Sequence, residues 1–362
     1  MERPSLTIRP GFFDALAATD TETDSFTYTV SDGNGSTSTA TVSIDVTGTD
    51  AAQPVSAFDD GELPSGFTIN GISAFDYSGI SVSSAGDVNQ DGIDDLIIGA
   101  SGADQPGATT AGEAYIVFGS TEAPGNTLEL AELDGNRGFV LTGVDGGGTA
   151  GFSVSHAGDV NSDGIDDIVI GAPEADADGE VDNGVSYVVF GNAGGFGPSL
   201  DLGSLDGTNG FEIAGEASFD ASGTTVSSAG DVNNDNIDDL LITAPSATGA
   251  LAGAGKSYIV FGSDTDFDAS LDLAALDGTD GFEIQGINTG DYSGFSASAA
   301  GDVNGDGIDD IVIGARYADP SGVESGQTYV VFGASSFAAS IQLAALEGSN
   351  GFIINGADAG DG

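Results

Sequence analysis

Apolar and polar residues alternate over short stretches of this chain, and a period of two predicts β-strands. Four apolar runs, LIIGAS, IVIGAP, LLITAP and IVIGAR, are each followed by an aromatic strand, EAYIVFG, VSYVVFG, KSYIVFG or QTYVVFG. A small, polar-alternating strand precedes each apolar run, and a short strand such as GFVLTG at 138 closes the set. Gly, Asp and Asn turns separate these strands. No window has a sustained helical period, so the pattern predicts an all-β fold.

The strand sets repeat along the chain at a fixed spacing. Acidic nonapeptides begin at 87, 159, 231 and 302, at intervals of 72, 72 and 71 residues. A unit of this size cannot bury both faces of its strands alone, so neighbouring units have to stack. About four strands per unit predict a β-propeller of four-stranded blades over residues 65–362. The Tyr and Phe residues of each third strand are expected to pack between blades.

Residues 1–50 have a different pattern. DSFTYTV and TSTATVSIDV flank the turn sequence SDGNGS, which predicts a β-hairpin belonging to a partial β-sandwich. Residues 51–64, rich in Ala, Asp and Pro, are interpreted as a linker.

Charge excludes several classes of partner. The chain has 58 acidic and 5 basic residues and a formal net charge of -53, which repels nucleic acid and anionic membranes.

The composition also bears on membrane insertion, metal sites and export. No apolar run reaches the length of about 18 residues that membrane insertion requires. The absence of cysteine excludes disulfides and thiolate metal sites. The first 20 residues lack the apolar core of a secretory signal, so we expect another export signal or a chain that is a fragment.

The acidic residues are concentrated in the nonapeptide D-x-N-x-D-G-x-D-D, which predicts a calcium loop. Side chains one, three and five alternate, the glycine permits a left-handed turn, and the seventh carbonyl and ninth side chain complete an oxygen set. Oxygen-only ligands select hard cations, and calcium prefers roughly six to eight of them. We therefore expect about four calcium ions, one per repeat. The predicted ligands are Asp87, Asn89, Asp91, Ile93, Asp95; Asp159, Asn161, Asp163, Ile165, Asp167; Asp231, Asn233, Asp235, Ile237, Asp239; and Asp302, Asn304, Asp306, Ile308, Asp310.

The sixth and eighth positions of the loops differ from the ligand positions. Asn236 replaces the glycine in the third loop, and since Asn tolerates positive φ better than most residues, we expect that site to persist. The eighth residues, Asp94, Asp166, Asp238 and Asp309, precede the final ligands and should point to the opposite face of the strand. We expect them to be solvated or to bond within the turn. The loop is not an EF-hand, because the twelfth position is Ile rather than Glu.

The stretch GFSVSHAGDVNSDGIDDIVIGAPEA resembles the FG-GAP repeats of the integrin α-subunit propeller, with Gly151-Phe152 and Gly171-Ala172-Pro173 at the signature positions. The resemblance covers about residues 66–362. It implies calcium loops between the first and second strands of each blade, and extracellular ligand binding by the whole propeller. Propellers of this family usually have about seven blades, so the four repeats form either an open arc or part of a larger ring. Separately, residues 13–50 resemble the C-terminal half of a VCBS repeat, a β-sandwich module of large bacterial surface and secreted proteins.

The sequence offers no catalytic arrangement. His156 is the only histidine, no G-x-S-x-G elbow occurs, and the Asp residues belong to equivalent loops. We therefore expect a non-enzymatic, calcium-binding β-propeller module, with calcium mainly structural, in a secreted or cell-surface bacterial protein. Its expected role is cell adhesion or binding of an extracellular protein or glycan that the sequence does not identify. The alternatives are a structural spacer in a giant repeat protein and an accessory propeller attached to a secreted hydrolase.

Overall fold

The computed structural model describes residues 66–121, 127–248 and 251–360, together with the backbone of two strands near the N-terminus. The chain divides into two compact units, Met1–Gly66 and Phe67–Gly362. In the first unit, β1 (Thr21–Ser31) pairs antiparallel with β2 (Thr37–Thr47). The predicted hairpin is therefore confirmed. The turn between its strands and the predicted linker at 51–64 lie outside the described residues.

The second unit is built from short strands. In chain order they are β3 (Thr68–Asn70), β4 (Val82–Gly86), β5 (Asp95–Ala100), β6 (Glu113–Val117), β7 (Thr127–Glu129), β8 (Gly138–Thr142), β9 (Ser153–Gly158), β10 (Asp167–Ala172), β11 (Val185–Val189), β12 (Ser199–Asp201), β13 (Gly210–Ala214), β14 (Thr225–Gly230), β15 (Asp239–Ala244), β16 (Lys256–Val260), β17 (Ser270–Asp272), β18 (Gly281–Gln285), β19 (Ser296–Gly301), β20 (Asp310–Ala315), β21 (Gln327–Val331), β22 (Ser340–Gln342) and β23 (Gly351–Asn355). Single 3-10 turns follow β7, β12, β17 and β22, at Leu130–Glu132, Leu202–Ser204, Leu273–Ala275 and Leu343–Ala345. The described residues contain no α-helix, which confirms the all-β prediction.

Each repeat forms one antiparallel blade. The four blades have the strand orders β4-β5-β6-β8, β9-β10-β11-β13, β14-β15-β16-β18 and β19-β20-β21-β23. The innermost strands β4, β9, β14 and β19 contact one another in that order. This is the predicted propeller arrangement, with the small residues of each first strand allowing close approach near the centre.

The blades are wider than predicted because each repeat donates a strand to the one before it. Strands β12, β17 and β22 pair in parallel with β8, β13 and β18, the outer strands of the preceding blades. Strand β7 pairs with β3 in the same way. A three-residue strand such as Ser199–Asp201 is too short to show a period of two, so the sequence pattern did not predict it. These parallel pairs bind neighbouring blades together by main-chain hydrogen bonds.

The hydrophobic core lies between blades. Tyr187 of the second blade shares a buried cluster with Ile97, Ile116 and Phe139 of the first. Tyr258 and Tyr329 occupy the same place in the next two interfaces. Each interface also contains a pair of stacked rings from adjacent repeats, with centroids 4.1–4.4 Å apart: Phe139–Phe196, Phe211–Phe267 and Phe282–Phe337. The expected packing of Tyr and Phe between blades is therefore observed.

Among the described residues, no blade covers the outer faces of the first and fourth blades. Val82 is 67% exposed, whereas Val154 at the same position of the second blade is 4% exposed. Phe352 and Ile354 of the fourth blade are 40% and 51% exposed, whereas Phe282 of the third blade is 1% exposed. The first and fourth blades thus do not cover each other, and the four described repeats form an open arc.

Candidate metal-binding loops

Each acidic nonapeptide connects the first and second strands of its blade, and its backbone turns twice through the left-handed region. In the first loop Gly92 has φ +89° and Gln90 has φ +57°. Asn236 adopts φ +69°, so the third loop keeps the turn despite losing its glycine. The sequence indicated only the sixth position as left-handed. The fourth position was missed because Gln90 and Ser162 carry no residue-type signal for positive φ, although Asn234 and Gly305 at the same position of the other loops do.

The predicted ligands at positions one, three and five shape the loop through backbone hydrogen bonds. In the first loop the Asp87 carboxylate accepts from the N–H groups of Asp91 at 2.9 Å and Gly92 at 2.8 Å. The Asn89 amide oxygen also accepts from Asp91 N–H, and Asp91 accepts from Ile93 N–H. The same bonds recur at Asp159, Asn161 and Asp163, at Asp231, Asn233 and Asp235, and at Asp302, Asn304 and Asp306.

The ninth residue of each loop is the most deeply placed. Asp95, Asp167, Asp239 and Asp310 are all 0% exposed. The Asp167 carboxylate accepts from Val160 N–H at 3.0 Å, within the loop, and from Gly191 N–H at 2.8 Å, just after the third strand. Equivalent bonds hold the other three residues. This carboxylate therefore joins the loop to the end of the third strand.

Burial disfavours the charged form of the ninth carboxylate in the first three loops. Burial raises the pKa of Asp95 to about 7 and that of Asp167 to about 8, despite two stabilising backbone hydrogen bonds to each. The negative charges of Asp159 and Asp163 contribute to the raised pKa of Asp167. The pKa of Asp239 is raised to about 8 for the same reasons. The loop carboxylates are thus close enough to repel one another, which a cation would relieve.

The oxygen set fits a hard cation. Across residues 66–121, 127–248 and 251–360, no three His, Cys, Asp or Glu side chains are already gathered around one point. The loop carboxylates instead accept from backbone N–H groups, and each carboxylate oxygen keeps a second lone pair for a ligand. The donors are all oxygens, which calcium prefers, in a turn with a left-handed residue at the sixth position. The first, third, fifth and ninth side chains and the carbonyls of Ile93, Ile165, Ile237 and Ile308 would hold the ion, which would neutralise charge and rigidify the loop.

The raised pKa values predict an unusual pH dependence for the calcium-free protein. Between about pH 4 and 8 the folded state binds more protons than the unfolded state, where Asp titrates near 3.9. The free energy of unfolding should therefore fall as the pH rises through this window. Urea unfolding of calcium-stripped protein at pH 5 and pH 8 tests this, and a higher stability at pH 8 would contradict it. Asp167→Asn, which cannot ionise, should show a weaker pH dependence.

The eighth residues do not behave as expected. Asp166 Oδ2 accepts from the backbone N–H of Asp87, in the preceding blade, at 2.7 Å. Asp238 and Asp309 accept from the N–H groups of Asp159 and Asp231 in the same way, at 3.0 and 3.1 Å. The prediction of a solvated or turn-bonding side chain is thus wrong for these three residues. Strand alternation correctly placed them away from their own loop, but no pattern within one repeat could reveal a partner in another repeat.

In the described part of the repeats, the third blade has a buried ionic cluster without a counterpart in the other three. Lys256, 5% exposed, forms ion pairs with Glu216 and, at 2.8 Å, with Glu283. The Tyr258 hydroxyl donates to the same Glu216 carboxylate at 2.9 Å. This cluster was not predicted from the sequence; the available signal was a lysine where sister strands have Glu113, Val185 or Gln327. His156 lies on β9, with Nε2 3.2 Å from the Asp166 carboxylate.

Removing the lysine should destabilise the third blade. In Lys256→Ala, two partly buried carboxylates lose their counter-ion, and we expect a loss of about 2–3 kcal/mol, below the full cost of breaking a buried pair because both carboxylates retain some solvent contact. Gln327→Ala, at the same position of the fourth blade, is the matched control and should cost less. Urea unfolding measures both; equal effects would show that the ion pairs contribute nothing specific.

Comparison with known proteins agrees with this architecture. The FG-GAP repeat family matches residues 78–117, 150–189, 222–260 and 294–331, and each match includes the acidic loop. The Bacterial Ig domain family matches residues 5–45, which overlap the stretch at 13–50 predicted to resemble a VCBS repeat. None of the helices in the described part of the chain is long and apolar enough to cross a membrane.

Similar proteins include phosphatidylinositol-glycan-specific phospholipases D and integrin alpha chains. Phosphatidylinositol-glycan-specific phospholipase D of Bos taurus is 32% identical over 167 residues, covering 45% of this chain and 18% of that protein. Integrin alpha-5 of Xenopus laevis is 28% identical over 262 residues, covering 72% of this chain and 22% of that protein. Integrin alpha pat-2 of Caenorhabditis elegans is 29% identical over 259 residues, covering 68% of this chain and 18% of that protein. The chain thus spans about a fifth of the length of these relatives. With one family match in each blade, residues 67–362 form an FG-GAP repeat β-propeller array.

Proposed function

We propose that this chain is a calcium-binding propeller module of a secreted or cell-surface bacterial protein, in which calcium is structural and the array binds an extracellular protein or glycan in adhesion. The observation that carries the proposal is the complete burial of the ninth residue in each loop. Four times, a fully buried carboxylate ties an oxygen-rich loop to the third strand of its blade. Burying four such charges without a cation is costly, whereas a bound divalent ion offsets that cost.

The regular placement of the loops supports a structural role for the ion. Each blade carries one loop, between its first and second strands, and no loop differs from the others in its predicted ligand set. Calcium sites of extracellular modules have affinities on the order of 10⁻⁴–10⁻³ M. Loops of this kind would therefore be filled outside the cell, which supports the proposed location. The family match named for bacterial Ig domains supports the bacterial assignment.

The proposed partner is a protein or glycan rather than nucleic acid. A net charge of -53 repels polyanions. Repeat arrays present extended loop surfaces, and binding in such folds resides in the loops rather than in the shared framework. We assign no catalytic reaction to this chain. A purely structural spacer remains the alternative if no partner binds.

A second candidate function is an accessory propeller attached to a hydrolase. The matches to phosphatidylinositol-glycan-specific phospholipase D, at 31–32% identity, favour this candidate. In that case the partner would be the attached catalytic domain or its substrate surface. The reading frame on both sides of this chain distinguishes the two, because only the accessory role requires an adjoining hydrolase domain.

Calorimetric titration of calcium into the stripped chain tests the metal, and array screens with and without calcium test the partner. We expect about four calcium ions per chain and a protein or glycan ligand captured only in calcium. Absence of calcium binding would overturn the proposal. Calcium binding without any captured ligand would favour the spacer. The chain alone should hydrolyse no glycosylphosphatidylinositol substrate, and activity there would refute the assignment as a binding module.

A further inference from the structure

We infer that the eighth residue of the second, third and fourth loops positions the calcium loop of the preceding blade, so that neighbouring sites fill cooperatively. The residues concerned are Asp166, Asp238 and Asp309, which we call the bridging aspartates. The inference rests on the proposed calcium binding and adds to it a coupling between sites that a single repeat does not possess.

The coupling begins with a hydrogen bond to a predicted ligand residue. Asp238 Oδ2 lies 3.0 Å from the backbone N of Asp159, the first ligand of the second loop. The next residue after Asp238 is Asp239, the buried ninth ligand of the third loop. A ligand in one blade is therefore linked to a ligand in the next through one hydrogen bond and one peptide unit. The same chain of contacts joins the first loop to the second and the third to the fourth.

The surrounding backbone is shaped for this contact. Gly158, with φ +85°, precedes the first ligand, and a Cβ there would lie 2.3 Å from Asp238 Oδ2. Gly86 and Gly230 have the same relation to Asp166 and Asp309. Any side chain at these glycines would thus displace the bridging carboxylate.

A second hydrogen bond from the next blade is made to the residue that follows the first ligand. Val160, which follows Asp159, accepts through its carbonyl from Ser263 N–H of the next blade at 2.9 Å. The carbonyls of Val88 and Val232 accept from Asn192 and Ala334 N–H at 2.8 and 2.9 Å. In the first three loops the following blade therefore binds both the N–H of the first ligand and the carbonyl of the residue after it.

The fourth loop lacks this support and serves as an internal reference. Among the described residues, no carboxylate accepts from Asp302 N–H, and nothing lies within 4 Å of the Cβ position at Gly301. Val303 is 52% exposed, whereas Val88, Val160 and Val232 are 1–2% exposed. Its ligand set is otherwise the same. The fourth loop should therefore bind calcium more weakly than the other three.

The direction of coupling follows from linkage. An ion that orders the first ligand of one loop also orders the N–H that holds the bridging aspartate. This fixes the backbone just before the ninth ligand of the next loop. Because linkage is reciprocal, filling the second loop aids the third by the same factor. Coupling between sites typically amounts to about 5–150-fold in affinity, and for a single part-buried hydrogen bond we expect the lower end.

Hydrogen exchange of the full-length chain during a calcium titration reads each loop separately. In Asp238→Ala we expect the calcium midpoint of loop 159–167 to rise about 5–10-fold, with loop 302–310 unchanged. Asp238→Asn keeps an oxygen acceptor and should restore most of the affinity. Asp94→Ala is the matched control, because exposed Asp94 is an eighth residue with no partner among the described residues. In the wild type, loop 302–310 should be protected last.

The results separate this inference from the proposed function. If the wild-type chain binds no calcium, the proposed function fails. If it binds calcium but Asp238→Ala leaves the midpoint of loop 159–167 unchanged, or shifts only loop 231–239, the inference is overturned and calcium binding stands. A general loss of stability would shift all four loops together and would likewise refute a positioning role for Asp238.

Discussion

Stripping calcium from this chain should lower the melting temperature of residues 67–362 by tens of degrees, and adding calcium back should restore it. A ligand at 100 times its dissociation constant stabilises the folded state by about 2.7 kcal/mol per site, or roughly 11 kcal/mol over four sites. A domain of about 200 residues shifts its melting temperature by about 2–4 °C per kcal/mol. The buried ninth aspartates explain the size of the effect, since each loses its counter-charge when calcium leaves.

Differential scanning calorimetry with calcium, magnesium or a chelator measures this shift. Magnesium should restore little, because it demands octahedral geometry and releases its waters reluctantly. Sodium chloride at matched ionic strength is the necessary control, since a chain with a net charge of -53 gains stability from any screening ion. If sodium chloride reproduces the calcium effect, the stabilisation comes from screening and the loops are not specific sites.

The parts of this structure that a single repeat determines could be predicted from the sequence. The loop position between the first two strands follows from an acidic turn flanked by a small-residue strand and an apolar strand. The left-handed Asn236 follows from the residue type, and its φ of +69° matches the glycines of the sister loops. The burial of Tyr187 between blades follows from an aromatic strand in a unit that cannot bury both faces.

The parts that depend on two repeats could not be predicted in the same way. The parallel pairing of Ser199–Asp201 with β8 joins segments that are distant in sequence. The bond from Asp87 N–H to Asp166 spans 79 residues, so strand alternation could exclude Asp166 as a ligand but could not find its partner. The Lys256 cluster was missed for a related reason: Glu283 lies in the same blade as Lys256, but Glu216 belongs to the second blade and approaches only when the two blades are packed.

Contacts within a repeat and contacts between repeats have different effects on the acidic loops. Contacts within a repeat set the loop shape, through the bonds of Asp159, Asn161 and Asp163 to nearby N–H groups. Contacts between repeats hold that shape against the next blade. The ninth carboxylate depends on contacts of the first kind, because its hydrogen bonds lie within one repeat and Asp95 and Asp310 of the two outer blades are 0% exposed as well.

The substitution Asp167→Ala should be the most damaging single change in the second loop. Two backbone donors, Val160 N–H and Gly191 N–H, lose their acceptor, and each unsatisfied buried donor costs about 1–3 kcal/mol. The loop also loses a calcium ligand, so we expect a total loss of about 3–5 kcal/mol in calcium-containing buffer. Urea unfolding with calcium present measures the change.

The matched control is Asp163→Ala in the same loop, which removes an exposed predicted ligand that accepts only from Ile165 N–H and Asn161 Nδ2. Both variants should abolish calcium binding at this loop, but in calcium-free buffer only Asp167→Ala should unfold at a lower urea concentration. This difference separates the two roles of the ninth residue, which are hydrogen bonding to the backbone and coordination of calcium. In calcium-free buffer only the hydrogen bonds are present. If the two variants are equally stable without calcium, the link from Asp167 to the end of the third strand carries no stability, and the burial of the ninth carboxylate serves the ion alone.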